Sequence, residues 1–432
     1  MKKNVFVPAL TDLQREELET VHGIGDVAFH GLLEVERLVD QPETLDFDTV
    51  LADARRELKS FDGSIDGIIA HWDFPTSVLV PMLCKDYGIP SPSLESVLKC
   101  EHKYWSRVEQ EKSVPEFIPR FSSFDPFDDD ALSKIELEFP FWVKPVKAFA
   151  SQLGFMIENE EQFRAAMKET REKIGQFGDP FEQAMAHADV PPEIAALGGS
   201  ACIAEEIIAG IQSAPEGTVF NGKFNVHGTL DMLPDDVGKS FGRLVYPSTL
   251  PEKVQERMHD CCERFLKHIG FDDGCFNAEF MWDEARDKLW LIEVNTRISQ
   301  SHSEMFIKVD GESNHRVAID VALGIRPDMP RGKGGFKVAA KCQINYYGQD
   351  AIAKRVPTEA ELSALERRFP RSAFVIELEE GMRLSDLPNQ NTRAFHLGDI
   401  YIGARSHEEL VQNFNNCMAS LSFDLEPVKH ED

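Results

Sequence analysis

The sequence predicts an α/β (α+β) fold that begins with a parallel α/β layer and continues into further domains. Its 432 residues exceed what a single hydrophobic core usually organises, which indicates two or three domains. Over the first hundred residues, strand-like runs such as NVFVPAL and IDGIIAHW alternate with helix-like runs such as LQREELETV and TVLADARRELKSF. This alternation is typical of parallel sheets covered by helices. We therefore assign residues 1–100 to an N-terminal α/β domain.

Residues 101–328 form a second region with both kinds of element. FPFWVKPV has the composition of a strand, and EEQFRAAMKETREKI has that of a helix. The stretch from Gly175 to Ser200 is rich in Gly, Pro and Ala, so we expect a loose insertion there. NGKFNVHGTLDML is a candidate hairpin. The last region, residues 329–432, is expected to be α+β.

The charge balance limits the class of partner. The chain has 46 basic and 74 acidic residues, a net charge of −28. Such a field repels phosphodiesters, so we expect no nucleic-acid partner, and an anionic ligand needs locally placed Lys and Arg. No run approaches the roughly 18 apolar residues of a membrane span, and we expect no membrane contact. The eight cysteines show no C-x-x-C spacing, which indicates reduced thiols in a cytoplasmic protein.

Two nucleotide-binding motifs can be rejected. GIGDVA, Gly23 to Ala28, matches G-x-G-x-x-A, but it follows a helix-like run instead of a strand. The GKS at Gly238 to Ser240 lacks the first glycine of a Walker A loop, because Leu233 stands there.

The strongest candidate site lies on two apolar strands, CFNAEFMW and KLWLIEVN, which DEARD joins. Successive side chains of a strand point to opposite faces, so Glu279 lies on one face of the first strand, and Glu293 and Asn295 share one face of the second. If the strands pair as a hairpin, the two carboxylates can meet, which is costly unless a cation lies between them. Two glutamates and an asparagine suit Mg²⁺. The alternative is two unrelated surface acids.

Other residues near these strands suit phosphate. Arg297 follows Asn295 in the same phase and can donate to phosphate oxygens in pairs. The loop KAFASQLGF contains small residues that allow backbone N–H groups to approach a phosphate. Lys144 ends the apolar strand FPFWVK and needs a partner or a route to solvent.

Five segments in this order resemble the ATP-grasp superfamily. They are YGIPSPSLESVLKCEHKYWSR, FPFWVKPVKAFASQLGF, IAEEIIAG, FNAEF and LIEVNTRISQSH, and they cover roughly residues 86–303. The resemblance implies the ATP-grasp fold, in which residues 101–328 form a two-lobed domain after an N-terminal parallel α/β (pre-ATP-grasp) domain. Residues 329–432 then complete the substrate side.

The resemblance also implies roles for individual residues. Lys103 and Lys144 match the lysines that hold nucleotide phosphates, and Ser151 to Gly154 match the loop that closes over them. Glu205, Glu206 and Ile208 match the hinge that meets adenine. Gln212 stands where many members have a ribose-binding glutamate. Glu279, Glu293 and Asn295 match the ligands of Mg²⁺ (or Mn²⁺), and Arg297 matches the arginine that steadies the transferred phosphoryl group.

The implied activity is that of an ADP-forming ligase, which activates a carboxylate with ATP as an acyl phosphate and passes it to an amine. The expected partners are small-molecule carboxylates and amines, and a homo-oligomer such as a dimer is compatible. Arg243, Lys223, His302 and Arg316 are candidates for a substrate carboxylate, although surface or structural roles weigh more for each.

Two alternatives stay open. The first is a bicarbonate-phosphorylating enzyme like biotin carboxylase or the carbamoyl-phosphate synthetase large chain. The run NTRI resembles biotin carboxylases, but Ser301 replaces the glutamate base that precedes their histidine. The second alternative is a catalytically silent nucleotide-binding regulator.

Overall fold

The computed structural model describes residues 2–40, 45–148, 152–234, 241–387 and 394–428. The strands are β1 Lys3–Pro8, β2 Val27–Leu32, β3 Gly67–Ile68, β4 Phe121–Phe124, β5 Phe141–Pro145, β6 Phe155–Ile157, β7 Cys202–Glu206, β8 Ile211–Phe220, β9 Lys223–Pro234, β10 Phe241–Tyr246, β11 Gly274–Asp283, β12 Lys288–Asn295, β13 Val338–Tyr346, β14 Ala351–Arg355, β15 Ala373–Ile376, β16 Phe395–Ala404 and β17 Asp424–Pro427. The helices are α1 Asp12–Thr20, α2 Phe47–Ser60, α3 Thr76–Tyr87, α4 Leu94–Glu101, α5 Lys103–Ser113, α6 Glu160–Lys173, α7 Gly175–Met185, α8 Pro192–Ala195, α9 Glu252–Ile269, α10 Ser303–Asp310, α11 His315–Ala322, α12 Glu359–Arg368 and α13 His407–Met418.

The N-terminal layer is parallel, as the sequence predicts. Strands β1, β2 and β3 form a sheet in the order β2-β1-β3, and β1 pairs in parallel with both neighbours. The GIGDVA segment lies between α1 and β2, where Gly23 and Gly25 have positive φ angles. Because Val27 begins a strand instead of a helix, the segment is a connection, and the rejection of a dinucleotide fingerprint is confirmed.

Two antiparallel sheets follow. The smaller has the order β4-β7-β5-β6, and the larger has eight strands in the order β12-β11-β8-β9-β10-β13-β16-β15. The C-terminal strands β13, β16 and β15 extend the same sheet as β8 to β12, so the region after residue 328 shares a sheet with the region before it. This mixed α/β architecture confirms the predicted fold class. No helix in the described ranges is long and apolar enough to cross a membrane.

The hairpin of β11 and β12 has one buried apolar face. Phe276 and Phe280 pack with Met258, Cys262 and Phe265 of α9, and all five side chains are fully buried. This packing leaves the opposite face of the hairpin for polar residues, and the large apolar contact makes the hairpin a rigid support. The eight cysteines of the chain are all buried, and none forms a disulfide.

Two sequence predictions need correction. Residues 175–200 are not a loose insertion, because they contain α7 and α8. Phe177 packs in the core beside the smaller sheet. Phe181 and Met185 pack in the core of the N-terminal layer. The four-residue spacing of these apolar side chains favours a helix despite the Gly and Pro content of the segment. Helix α7 therefore packs in two cores at once.

The second correction concerns NGKFNVHGTLDML, which was expected to be a hairpin by itself. It supplies only one arm, β9, and β8 supplies the other. The turn lies at Asn221 and Gly222, both with positive φ. Asn-Gly is the strongest short-range hairpin signal, and it lies at the observed turn, but the segment NGKFNVHGTLDML begins at this turn and so contains only the strand that follows it.

His396 in β16 makes the stability of the C-terminal strands depend on pH. Its Nε2 lies 3.2 Å from Asp399 Oδ1, and its Nδ1 lies 3.6 Å from Glu377 Oε2. Burial alone would lower the His396 pKa, but the two carboxylates outweigh burial and raise the pKa to about 9. Since the folded pKa exceeds the unfolded value of about 6.5, this stabilisation is complete below about pH 6.5 and is lost as pH rises to about 9.

We therefore expect the melting temperature to fall more steeply from pH 6.5 to pH 9 in the wild-type protein than in a His396→Gln variant. The comparison isolates His396 because every other titrating group is common to both proteins. Equal slopes for the two proteins would show that the ion cluster contributes nothing to folding.

Candidate functional site

The predicted carboxylate pair forms. Glu279 in β11 and Glu293 in β12 are directly opposite each other, and Asn277 is opposite Asn295. Side chains in this position share a face, and their Cβ atoms lie about 4.5–5.5 Å apart. The Nδ2 atom of Asn277 is buried and has no hydrogen-bond partner among the described residues. The hairpin therefore presents two carboxylates and two amides on one side.

The charge of Glu293 disfavours the ionised form of Glu279. Burial, and then the charge of Glu293, raise the pKa of Glu279 to about 7. Gln212 in β8 donates from Nε2 to Glu279 Oε2 at 2.8 Å, so the residue predicted at the ribose instead contacts a predicted metal ligand in this structure. Two facing acids, one of which has a raised pKa, mark a candidate functional site, and a cation between them would offset their repulsion.

Lys103 begins α5 beside these acids. Its Nζ donates to the backbone oxygen of Ala148 at 3.0 Å and lies 4.0 Å from Glu293 Oε2. Burial lowers the pKa of Lys103 to about 8, and the positive charges of the nearby Lys147 and Lys144 also act to lower this pKa. Several cations are thus concentrated at one place in a chain with a net charge of −28, which meets the need of an anionic ligand for local positive charge.

Lys144 is held by a buried ion cluster that we call the Arg107 clamp, made of Arg107, Lys144 and Glu205. Arg107 Nε lies 2.6 Å from Glu205 Oε1, and Lys144 Nζ lies 2.6 Å from Glu205 Oε2. Burial alone would raise the Glu205 pKa, but the two cations outweigh burial and lower it to about 2. Both carboxylate oxygens of Glu205 are therefore engaged by cations.

Arg107 extends this clamp to the carboxylate hairpin. Its Nη1 and Nη2 donate to the backbone oxygens of Leu291 and Ile292 at 2.8 and 3.0 Å. The smaller sheet, which carries Lys144 and Glu205, is thus tied to β12 directly before Glu293. Arg107 was not predicted from the sequence, because an arginine in a polar helix is usually solvated and only the tertiary structure shows that Arg107 is 3% exposed.

Arg297, just beyond β12, contacts the N-terminal domain. Its Nε and Nη2 each donate to a different oxygen of Asp73 at 2.7 Å. Burial would raise the Asp73 pKa, but Arg297 outweighs it and the pKa is lowered. Asp73 was also missed. The available signal was its place after a strand of a parallel sheet, where functional side chains gather in α/β folds.

The remaining predicted residues lie around this centre. Glu206 is partly exposed with Oε2 3.5 Å from Arg120 Nε, and Ile208 is partly buried in the segment between β7 and β8. Gly154 precedes β6, and Ser151 lies outside the described residues. The structure thus brings together Gln212, Glu279 and Glu293, with Lys103 beside Glu293. It links Lys144 to this group through the Arg107 clamp. The contacts of Glu206 and Ile208 with a nucleotide stay predictions.

Comparison with known proteins gives a match to one domain model and several solved structures of similar fold. Residues 137–304 match the family model of the ATP-grasp domain. The L-amino acid ligase from Bacillus licheniformis is 16% identical with a TM-score of 0.69, covering 98% of both chains. Phosphoribosylglycinamide synthetase from Anaerococcus prevotii is 13% identical with a TM-score of 0.64, covering 99% of this chain and 100% of that one. At these identities the structural likeness establishes the fold alone.

One curated relative is the uncharacterized protein y4rH of Sinorhizobium fredii. It is 22% identical over 313 residues, which are 69% of this chain and 56% of that protein. The chain therefore spans about half the length of this relative.

Proposed function

We propose that this chain, whose residues 137–304 match the family model of the ATP-grasp domain, is an ATP-dependent, ADP-forming ligase that joins a carboxylate to an amine through an acyl phosphate. The observation that carries the proposal is the pairing of Glu279 with Glu293, with Lys103 4.0 Å from Glu293. A facing pair of acids is unfavourable alone but useful with a divalent cation and nucleotide phosphates.

The donor set fits Mg²⁺ or Mn²⁺. Glu279, Glu293 and Asn295 offer oxygen ligands only, which suit these hard cations. Burial and the charge of Glu293 raise the pKa of Glu279, and a bound cation would oppose both effects. Bound there, the cation would neutralise charge on the nucleotide phosphates during phosphoryl transfer.

The lysines and Arg297 are assigned to the phosphates. Lys103 and Lys144 would bind phosphate oxygens, and Glu205 orients Lys144 from the opposite side through the ion pair of 2.6 Å. Arg297 would donate in pairs to the transferred phosphoryl group. Asp73 holds the guanidinium by two bonds, so Asp73 is proposed as the positioning residue that aims it.

The proposed reaction has two steps. An oxygen of the substrate carboxylate attacks the γ-phosphorus of ATP, the bond from the γ-phosphorus to the bridging oxygen breaks, and ADP leaves. The amine then attacks the carbonyl carbon of the acyl phosphate, phosphate leaves, and the nitrogen loses a proton. The protein contributes mainly positioning and charge neutralisation, and water must be excluded because it would hydrolyse the acyl phosphate.

An isotope experiment tests this proposal. Phosphate release with ATP and Mg²⁺ would be screened across amino acids and other carboxylates, each with amines, and with bicarbonate as a separate arm. An active acid would then be labelled with ¹⁸O in its carboxylate. We expect one ¹⁸O to appear in the released phosphate, since the acyl phosphate donates its bridging oxygen. Unlabelled phosphate from an active pair would refute the acyl phosphate, and turnover with bicarbonate alone would favour the carboxylase-like alternative.

An L-amino acid ligase is among the proteins of similar fold. That protein covers 98% of this chain, and its name states its substrate class. We propose amino acids as the first group to screen.

Asp73→Asn is expected to lower the rate of ADP formation by about tenfold without unfolding the protein. A neutral amide can bond one guanidinium nitrogen but cannot hold Arg297 by two charge-assisted bonds. The loss should appear in kcat more than in the KM for ATP, because the arginine acts on the transferred group. Asp86→Asn is the matched control, since Asp86 pairs with Arg55 at the surface. An Asp73→Asn enzyme as fast as the Asp86→Asn control would remove Asp73 from the site.

A further inference from the structure

A cavity lies away from the carboxylate pair. It has a volume of about 460 Å³ and lies between the β8–β9 hairpin and residues 326–331, the segment after α11. Thr218, Lys223, His227, Arg326, Asp328 and Arg331 supply its polar lining, and Phe220, Phe224 and Met329 supply apolar lining. Its volume is in the range of about 300–1,000 Å³ that small-molecule sites usually have.

The charge of this cavity is opposite to that of the chain. Lys223, Arg326 and Arg331 are cationic, and Asp328 is the single acid among its lining residues. Within the described residues, neither Lys223 nor Arg326 forms an ion pair. Arg331 donates from Nη2 to the backbone oxygen of Val226 at 2.6 Å, which fixes its guanidinium at the cavity. In a chain with a net charge of −28, three cations around one concave site are a strong local attraction for an anion.

Two buried polar atoms of the lining have no partner in the described part of the chain. They are Thr218 Oγ1 and His227 Nδ1, and each residue is only 1% exposed. Buried polar atoms are nearly always bonded, so such orphans call for an explanation such as a ligand. His227 Nε2 lies 2.9 Å from the carboxylate of Glu216 and therefore carries a proton. In the neutral ring, Nδ1 is then an acceptor for an N–H or O–H of the ligand.

The cavity is distinct from the proposed nucleotide site. Gln212 at the carboxylate pair and Thr218 at the cavity are six residues apart on β8, a separation of about 20 Å along a strand. A buried hydrogen-bond network nevertheless connects the two. Glu216 Oε2 accepts a bond from the backbone N–H of Ser299 at 2.9 Å, two residues after Arg297, while its Oε1 lies 2.9 Å from His227 Nε2.

We propose that this cavity is a second ligand site, which binds a small organic or inorganic anion with a carboxylate or phosphate group and an N–H or O–H donor. Arg326, Arg331 and Lys223 bind the anionic group. The Thr218 hydroxyl and His227 Nδ1 bond the rest of the ligand, and the apolar side chains cover the carbon atoms of an organic ligand. This site is independent of the proposed ligase activity.

Binding by calorimetry to the full-length protein is the test. The probes are inorganic phosphate and L-glutamate, which separate the phosphate and carboxylate sources. A Lys223→Gln/Arg326→Gln double variant removes the two exposed cations without ion-pair partners, so the fold is retained. Lys103→Met removes a cation of the proposed nucleotide site, and Arg286→Gln removes a surface cation elsewhere.

We expect at least one probe to show a saturable binding component that the double variant weakens on the order of tenfold or more, and that persists in Lys103→Met and Arg286→Gln. The absence of saturable binding by both probes would overturn the proposal. So would binding that is lost only in Lys103→Met, because every bound anion would then lie at the nucleotide site.

Discussion

Glu293→Gln is expected to lower ADP formation by at least about two orders of magnitude while the protein stays folded. Glu293 is opposite Glu279 and beside Lys103, so its charge is proposed to hold both the metal ion and, through Lys103, the phosphates. The amide keeps the size of the side chain and removes one of two repelling charges. The metal-free variant should therefore be at least as resistant to unfolding as the wild-type protein.

The matched control is Glu284→Gln, an exposed glutamate in the turn of the same hairpin. It replaces the same residue type and changes the net charge by the same amount. Because Glu284 lies away from the carboxylate pair, the control should leave ADP formation and melting temperature unchanged. Near wild-type ADP formation by folded Glu293→Gln would refute the metal-ligand assignment. It would do so without reference to the identity of the acid or the amine.

Glu205→Gln is expected to reduce the free energy of unfolding by about 3–5 kcal/mol, the usual cost of removing one partner from a buried ion pair. Arg107 is 3% exposed. In the variant its buried positive charge would be bonded to a neutral amide instead of a carboxylate. Denaturant-induced unfolding of the variant and the wild-type protein measures the difference. Loss of ADP formation should accompany it, because Lys144 loses its anchor.

Glu206→Gln provides the control at the adjacent position. Glu206 lies on the exposed side of the same strand, 3.5 Å from a largely exposed Arg120, and such surface pairs contribute less than about 1 kcal/mol. If Glu205→Gln and Glu206→Gln unfold at the same denaturant concentration, the Arg107 clamp does not stabilise the protein.

Local patterns in the chain were enough to predict much of the fold. Alternating strand-like and helix-like runs predicted the parallel N-terminal layer, and period-two alternation predicted that Glu279 and Glu293 could meet. A short turn between two such strands leaves little choice of partner, which is why the pairing was predictable. Residues 175–200 were mispredicted because their composition hid a helix whose apolar side chains find two different cores.

By itself the sequence determined the fold class, the carboxylate hairpin and the resemblance to ATP-grasp proteins, because these depend on periodicity and on short segments in a fixed order. The partners of those residues were decided only by the tertiary structure. Arg297 and Asp73 are 224 positions apart, and Arg107 and Glu205 are 98 apart. Ion pairs over such distances depend on how the domains pack, and burial makes them strong by removing the water that would screen them. The cationic cavity lined by His227 also depends on the tertiary structure, since the β8–β9 hairpin and residues 326–331 meet only in the folded chain.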